Sequence, residues 1–144
     1  MKRFTFRFAA VLKQRTALLD QAKAELGDAI ARCNLAVDIL TRRRQDLATL
    51  AAQAPTPGQP FDPQREVVRQ RHLGALRQEL ERRQQMVERL EAIVDAAREK
   101  VAETHRGLRA IELLEERDRE AWKAEARRLE QQENDERNAQ RFGR

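Results

Sequence analysis

Apolar residues recur along this chain at alternating steps of three and four. Starting from Phe8, the series runs Leu12, Arg15, Leu19, Ala22, Leu26, Ala29, Cys33, Ala36, Leu40, Arg43, Leu47, Leu50 and Ala54. Only Arg15 and Arg43 break it. Such spacing is a heptad seam, with Leu mostly at a and small residues at d. Val11, Leu18, Ile30, Val37 and Ile39 widen the stripe at the flanking e and g positions. A second series runs Leu73, Leu76, Leu80, Arg83, Val87, Leu90, Val94, Ala97, Val101, Thr104, Leu108 and Ile111, then turns half acidic through Glu115, Asp118, Trp122, Glu125 and Leu129.

Between the two series stand all four prolines, Pro55, Pro57, Pro60 and Pro63, together with Gly58. Proline inside a helix costs about 3 kcal/mol, so this segment must be a connection. Asp62-Pro63 reads as a helix start, with Asp as N-cap and Pro at the first helical position. The pattern predicts one domain over 1–144: helix one over about 5–53, a Pro-rich turn at 54–62 and helix two over about 63–140. A turn centred near residue 58 makes the helices antiparallel neighbours, and facing residues then have numbers summing to about 116. Phe8 would face Leu108, Leu26 would face Leu90 and Leu40 would face Leu76. Helix one would run out opposite Glu112, where the second seam loses its apolar residues. The predicted fold is all-α, a long antiparallel two-helix coiled-coil hairpin with an unpaired C-terminal helical extension.

Composition narrows the function. Of 144 residues 37% are charged and only 4% aromatic, which suits long helices better than a globular core. One Cys excludes a disulfide scaffold or a Cys-rich zinc module, and Cys33 at an a position reads as a small buried hydrophobe. No apolar run approaches the ~20 residues that span a bilayer. Lys2 and Arg3 give a basic start, but Arg7 and Lys13 interrupt the apolar stretch after it, so a signal peptide is not expected and the expected location is cytoplasmic.

No catalytic chemistry stands out. The chain has no phosphate-binding Gly-rich loop, and His72 and His105 lack HExxH or ExxH spacing. Carboxylates on a two-helix scaffold have no pocket to shift their pKa. An enzyme, a cofactor, a metal site and a small-molecule ligand are therefore not expected. The net charge of +5 sits in the first helix: residues 1–53 carry 10 basic and 5 acidic groups. Without aromatic interleaving or a groove-reading module, this does not read as nucleic-acid binding. It reads as a solvated face, or as a surface that steers an acidic protein partner. Leu114, Trp122 and Leu129 continue at helical spacing where the first helix offers no cover, and an uncovered Trp marks a contact surface.

The opening MKRFTFRFAAVLKQRTALLDQAKAEL, with its Phe-rich lead and "VL..R" step, resembles the start of the flagellar FliJ proteins. The close, RAIELLEERDREAWKAEARRLEQQENDERNAQRF, resembles that family's charged, Trp-bearing C-terminal helix. The Pro-rich turn is a departure. The resemblance implies a non-enzymatic cytoplasmic component of the flagellar type III export apparatus, peripherally associated with the inner membrane. It implies an antiparallel coiled coil similar to the stalk of rotary ATPases, whose terminal end enters the pore of the hexameric export ATPase FliI. Further implied partners are the ATPase regulator FliH, the cytoplasmic domain of the export gate FlhA, and export chaperones. The expected partner-binding residues are Phe4, Phe6, Phe8 and Val11 from the lead, and Leu114, Trp122 and Leu129 from the tail. Two alternatives stand beside this: a self-associating structural coiled coil, weak or stable, and the equivalent stalk of a virulence injectisome.

Overall fold

The computed structural model describes residues 2–143. It is all-α: α1 spans Ala9–Ala52 (44 residues) and α2 spans Pro63–Phe142 (80 residues), packed antiparallel. Among the described residues, no helix is long and apolar enough to cross a membrane. Contacts group the chain into two compact units, Lys23–Lys100 and Met1–Ala22 with Val101–Arg144.

In the Lys23–Lys100 unit the core is Ala29, Leu40, Leu73, Leu76, Val87 and Val94, all seam positions. Its register differs from the one a turn centred at residue 58 predicts. Glu25 pairs with Lys100 at 2.8 Å, and Arg43 with Glu79 at 3.3 Å. The predicted register would instead have set Glu25 against Glu91 and Arg43 against Leu73. The heptad repeat explains how both registers are possible. A shift of seven in the sum of facing numbers returns every a position to a d position, so the seam alone permits sums of about 116 or about 123. The apolar residues beside the turn decide. At 116, Leu47 and Leu50 would lie level with Arg69 and Glu66. At 123 they lie level with Leu76 and Leu73, which are buried.

The connection absorbs the asymmetry. With Ala52 ending α1, the first two turns of α2 run past it, and residues 53–62 fold back beside them. Gly58 takes φ +87°, the left-handed region that favours glycine. Asp62 caps α2: its Oδ1 accepts from the backbone N–H of Gln64 at 3.0 Å. The carbonyl end of α1 has no basic residue of its own in the last turn. Arg69 supplies one from α2, its Nη1 donating to the Leu50 carbonyl at 3.2 Å while its Nε and Nη2 clasp Glu66 at 2.9 and 2.7 Å.

The Met1–Ala22 with Val101–Arg144 unit buries Phe6, Leu19, Ala22 and Leu108. Here too the pairing exceeds the predicted sum: Arg7 reaches Asp118 at 3.8 Å. Arg15, one of the two polar breaks in the first seam, lies over Gly107. A Cβ there would sit 3.4 Å from the Arg15 Nη1. α1 opens at Ala9 rather than near residue 5. Residues 2–6 are non-helical and the Ala9 N–H donates to the Phe6 carbonyl at 3.2 Å. The run Phe4-Thr5-Phe6-Arg7-Phe8 alternates aromatic and polar residues, the period of an extended segment. From Arg127 onward every described residue is exposed, which is the unpaired extension of α2.

Two measurements check this geometry. Spin labels placed at residues 25 and 100, in a Cys33→Ala background, should report a separation shorter by roughly 10 Å than labels at 25 and 91, since nine residues of helix lie between the two sites at about 1.5 Å each. The reverse order would restore the predicted register. The second test uses pH. The hydrogen bonds from Arg69, then those from Gln70, hold the Glu66 carboxyl down from 4.5 to about 2. A carboxyl depressed in the folded state stabilises fully above its unfolded value and loses that effect as pH falls through its folded value. The melting-temperature advantage of wild type over Glu66→Gln should be constant above about pH 5 and fade toward pH 2. A pH-independent difference would mean that the clasp contributes nothing.

Candidate functional site

All seven residues expected to meet a partner lie in the unit that holds both chain ends. The extended lead lays its aromatic side against α2. Phe4 packs on Trp122 with ring centroids 5.9 Å apart and planes tilted by 59°. Phe6 is 7% exposed and meets Phe8 edge to face at 5.8 Å. Val11 and Leu114 are half-buried, and Leu129, seven residues beyond Trp122, is exposed.

Trp122 therefore has an intramolecular partner. The expectation that helix one runs out at Glu112 and leaves Trp122 uncovered is corrected. The register one heptad further along carries the lead to residues 118–122, and the lead is extended, so each of its residues advances farther than in a helix. Trp122 is half-buried rather than free.

Two arginines frame the aromatics. The Arg119 guanidinium lies 5.0 Å from the Phe4 ring centroid, and that of Arg7 lies 4.7 Å from the Phe8 centroid while it also pairs with Asp118. Guanidinium planes are suited to this because they stack on a ring face and keep their in-plane N–H donors free. Arg7 and Arg119 are functional candidates that the heptad pattern does not single out, whereas Asp118 is one of the acidic seam positions. A signal for Arg119 is nonetheless present: it precedes Trp122 by three residues and so shares its face of α2. The signal for Arg7 is the alternation of the lead.

On either side of the cluster, α2 carries its own ion pairs. Arg128 clasps Glu125 at 2.6 and 3.0 Å, which lowers the Glu125 pKa and raises that of Arg128. Arg109 bridges Glu112 and Glu116 and has its pKa raised, first by the hydrogen bond to Glu112. These pairs are solvent-exposed and screened by water and salt, so each contributes little to the helix. Among the described residues, no group of three or more His, Cys, Asp or Glu is placed to hold a metal ion. What the cluster offers is an aromatic and cationic contact surface on the two chain ends.

The Phe4–Trp122 pair should show as a coupling. Phe4→Ala and Trp122→Ala should each lower the melting temperature, and the double variant should fall short of their sum by about 0.5–1.5 kcal/mol, the usual worth of an aromatic pair. Because Trp122 is the only tryptophan, Phe4→Ala should also red-shift its emission. Strict additivity with unchanged emission would separate the two rings in solution.

Comparison with curated proteins and with solved structures finds no match to either. A family model does match, over residues 4–144, and its description is Flagellar FliJ protein.

Proposed function

The chain belongs to the FliJ family, and from that premise we propose that it is the stalk and adaptor of the flagellar type III export apparatus. Family membership makes it a coiled-coil protein of flagellar export. The finer reading is that the two chain ends enter the pore of the hexameric export ATPase FliI. The same protein would link that ring to FliH, to the export gate FlhA and to export chaperones, and be held at the inner membrane through them. The observation that carries this reading is the Phe4–Trp122 cluster with its flanking Arg7 and Arg119. It puts aromatic rings and fixed cations on the unit that holds both termini, and α2 continues beyond it as exposed helix. Aromatic and Arg side chains are the residue types that dominate binding energy at protein interfaces.

A non-enzymatic stalk acts by changing the turnover of the ATPase around it. Addition of the chain to purified FliI hexamer should raise the rate of ATP hydrolysis. A variant lacking residues 1–8 should lose that stimulation and keep nearly all its helicity, because α1 begins at Ala9. Equal stimulation by the truncated chain would move the insertion end elsewhere. Absence of stimulation by the full chain would remove the stalk reading.

A further inference from the structure

One flank of the hairpin in the Lys23–Lys100 unit carries features that packing between α1 and α2 does not use. With Leu40 of α1 and Val87 of α2 at a positions, Ile39, Met86 and Ile93 fall at g, and Leu35 falls at c. In an antiparallel pair the g positions of both helices border the same side. The Glu25–Lys100 bridge joins two g positions and identifies that side. Ile39 is level with Met86, and Arg32 with Ile93. Between them lies a groove of about 570 Å³ lined by Leu35, Ala36, Ile39 and Met86, with Arg32 and Arg82 among its edges. Leu35 is 62% exposed, Met86 46% and Ile93 53%. The opposite flank has Arg77, Gln84, Glu91 and Arg98 at the e positions of α2, so on α2 the apolar excess is on one side only, while α1 has Ile30 and Val37 at e.

Of the carboxylates on this flank, Glu25, Asp46 and Glu79 are engaged by Lys100, Arg43 and Arg83, and Asp28 lies one turn before Arg32, away from the groove. Arg32, Arg42, Arg82 and Arg89 share the g and c stripes with the apolar residues. All four are exposed, and none forms an ion pair among the described residues. Other arginines of the same helices do: Arg43 with Asp46 and Glu79, Arg69 with Glu66, Arg83 with Glu79, Arg98 with Asp95. Glu79, the carboxylate that lines the groove, is already engaged by Arg43 and Arg83, and Arg83 first holds its pKa down.

We propose that this flank is a docking site for an acidic amphipathic α-helix of another protein. Arg82, Met86, Arg89 and Ile93 follow one another on α2 at helical spacings of four, three and four, and Arg32, Leu35, Ile39 and Arg42 follow on α1 at three, four and three. A third helix laid in the groove would place its own apolar stripe on Leu35, Ile39, Met86 and Ile93 and its Asp or Glu rows on the arginines. A phosphate backbone would satisfy the arginines and leave the apolar residues in water. A second copy of this chain, related by a two-fold axis, would bring the same arginines against one another. The inference goes beyond the stalk reading and uses none of the chain-end residues on which that reading rests.

The probe is a synthetic helix of about 21 residues, three heptads, with Leu at a and d and Glu at e and g, labelled with fluorescein. A second peptide carries Lys in place of Glu. Fluorescence anisotropy with the full chain should show binding of the acidic peptide, weakened by added salt, and little binding of the basic one. Met86→Glu should weaken the acidic peptide roughly tenfold or more. The pair Arg32→Glu with Arg82→Glu should reverse the preference in favour of the basic peptide. All three positions are exposed, so circular dichroism melts should stay close to wild type. A variant that melts early is replaced by Arg89→Glu, which reads the same charge. The proposal is overturned if both peptides bind alike, if the acidic peptide binds wild type and variants equally, or if sedimentation shows a dimer of the chain that Leu35→Glu dissociates.

Discussion

The last two leucines of α1 need apolar partners on α2, and the first apolar residues at its seam positions are Leu73 and Leu76, since Val67 and Val68 lie off the seam and are exposed. That match selects the register from the alternatives that the heptad repeat leaves equal. Its weight exceeds that of the charges alongside it. Burying one Leu side chain stabilises by about 1.5–3 kcal/mol, whereas an exposed ion pair contributes about 0.2–1 kcal/mol. With Leu47 and Leu50 level with Arg69 and Glu66, two apolar contacts would be lost and two charged groups drawn toward the seam. The ion pairs Glu25–Lys100 and Arg43–Glu79 are then consequences of the register and add to it. The other unit independently shows pairing at the same heptad, through Arg7 with Asp118 and Phe4 with Trp122.

The seam is legible in the sequence because the rule behind it is local. Three-four spacing depends only on the pitch of a helix, and every buried residue of the structure except Phe6 belongs to it. The register is not legible from the middle of the turn, because that estimate shares ten connecting residues equally between the helices. They are not shared equally: Asp62 and Pro63 start α2 early, and Arg69 closes the end of α1 from across the turn. Pairing Leu50 with Leu73 directly gives the observed register from the sequence alone. The lead escapes the heptad pattern for a different reason. Phe8 begins a helical series and also ends an alternating one, so a helical count from Phe8 hides the alternation of Phe4, Phe6 and Phe8.

An extended lead changes the physical character of the chain-end surface. An uncovered Trp122 would have presented its whole ring to a partner. In the structure Phe4 already covers one face, and Phe6, the innermost anchor of the lead, is buried. What this surface leaves open to solvent is the guanidinium of Arg119, the half-buried rings of Phe4 and Trp122, and the exposed Leu129. Truncating Trp122 therefore acts on folding of the chain ends and on any contact they make. Only a comparison with truncation of Phe4, which loses the same internal pair, can divide the two effects.

The preponderance of Arg over Lys, 24 to 5, reflects what these side chains do in the fold. Arg69 makes hydrogen bonds from three of its nitrogens to two acceptor groups in different elements, and Arg7 pairs with a carboxylate while its plane lies over a ring. A lysine ammonium, a point charge without a plane, cannot do either. The same reasoning applies where arginines have no internal acceptor. A solvated face needs only charge, which Lys supplies as well, and its stem covers apolar surface equally. Arg32, Arg42, Arg82 and Arg89 lie interleaved with exposed Leu35, Met86 and Ile93. A planar donor fork beside an apolar side chain is the arrangement found at interface anchors. Part of the basic excess read from the sequence as a property of the first helix is thus shared by both helices on one flank, where it stands unpaired beside apolar surface.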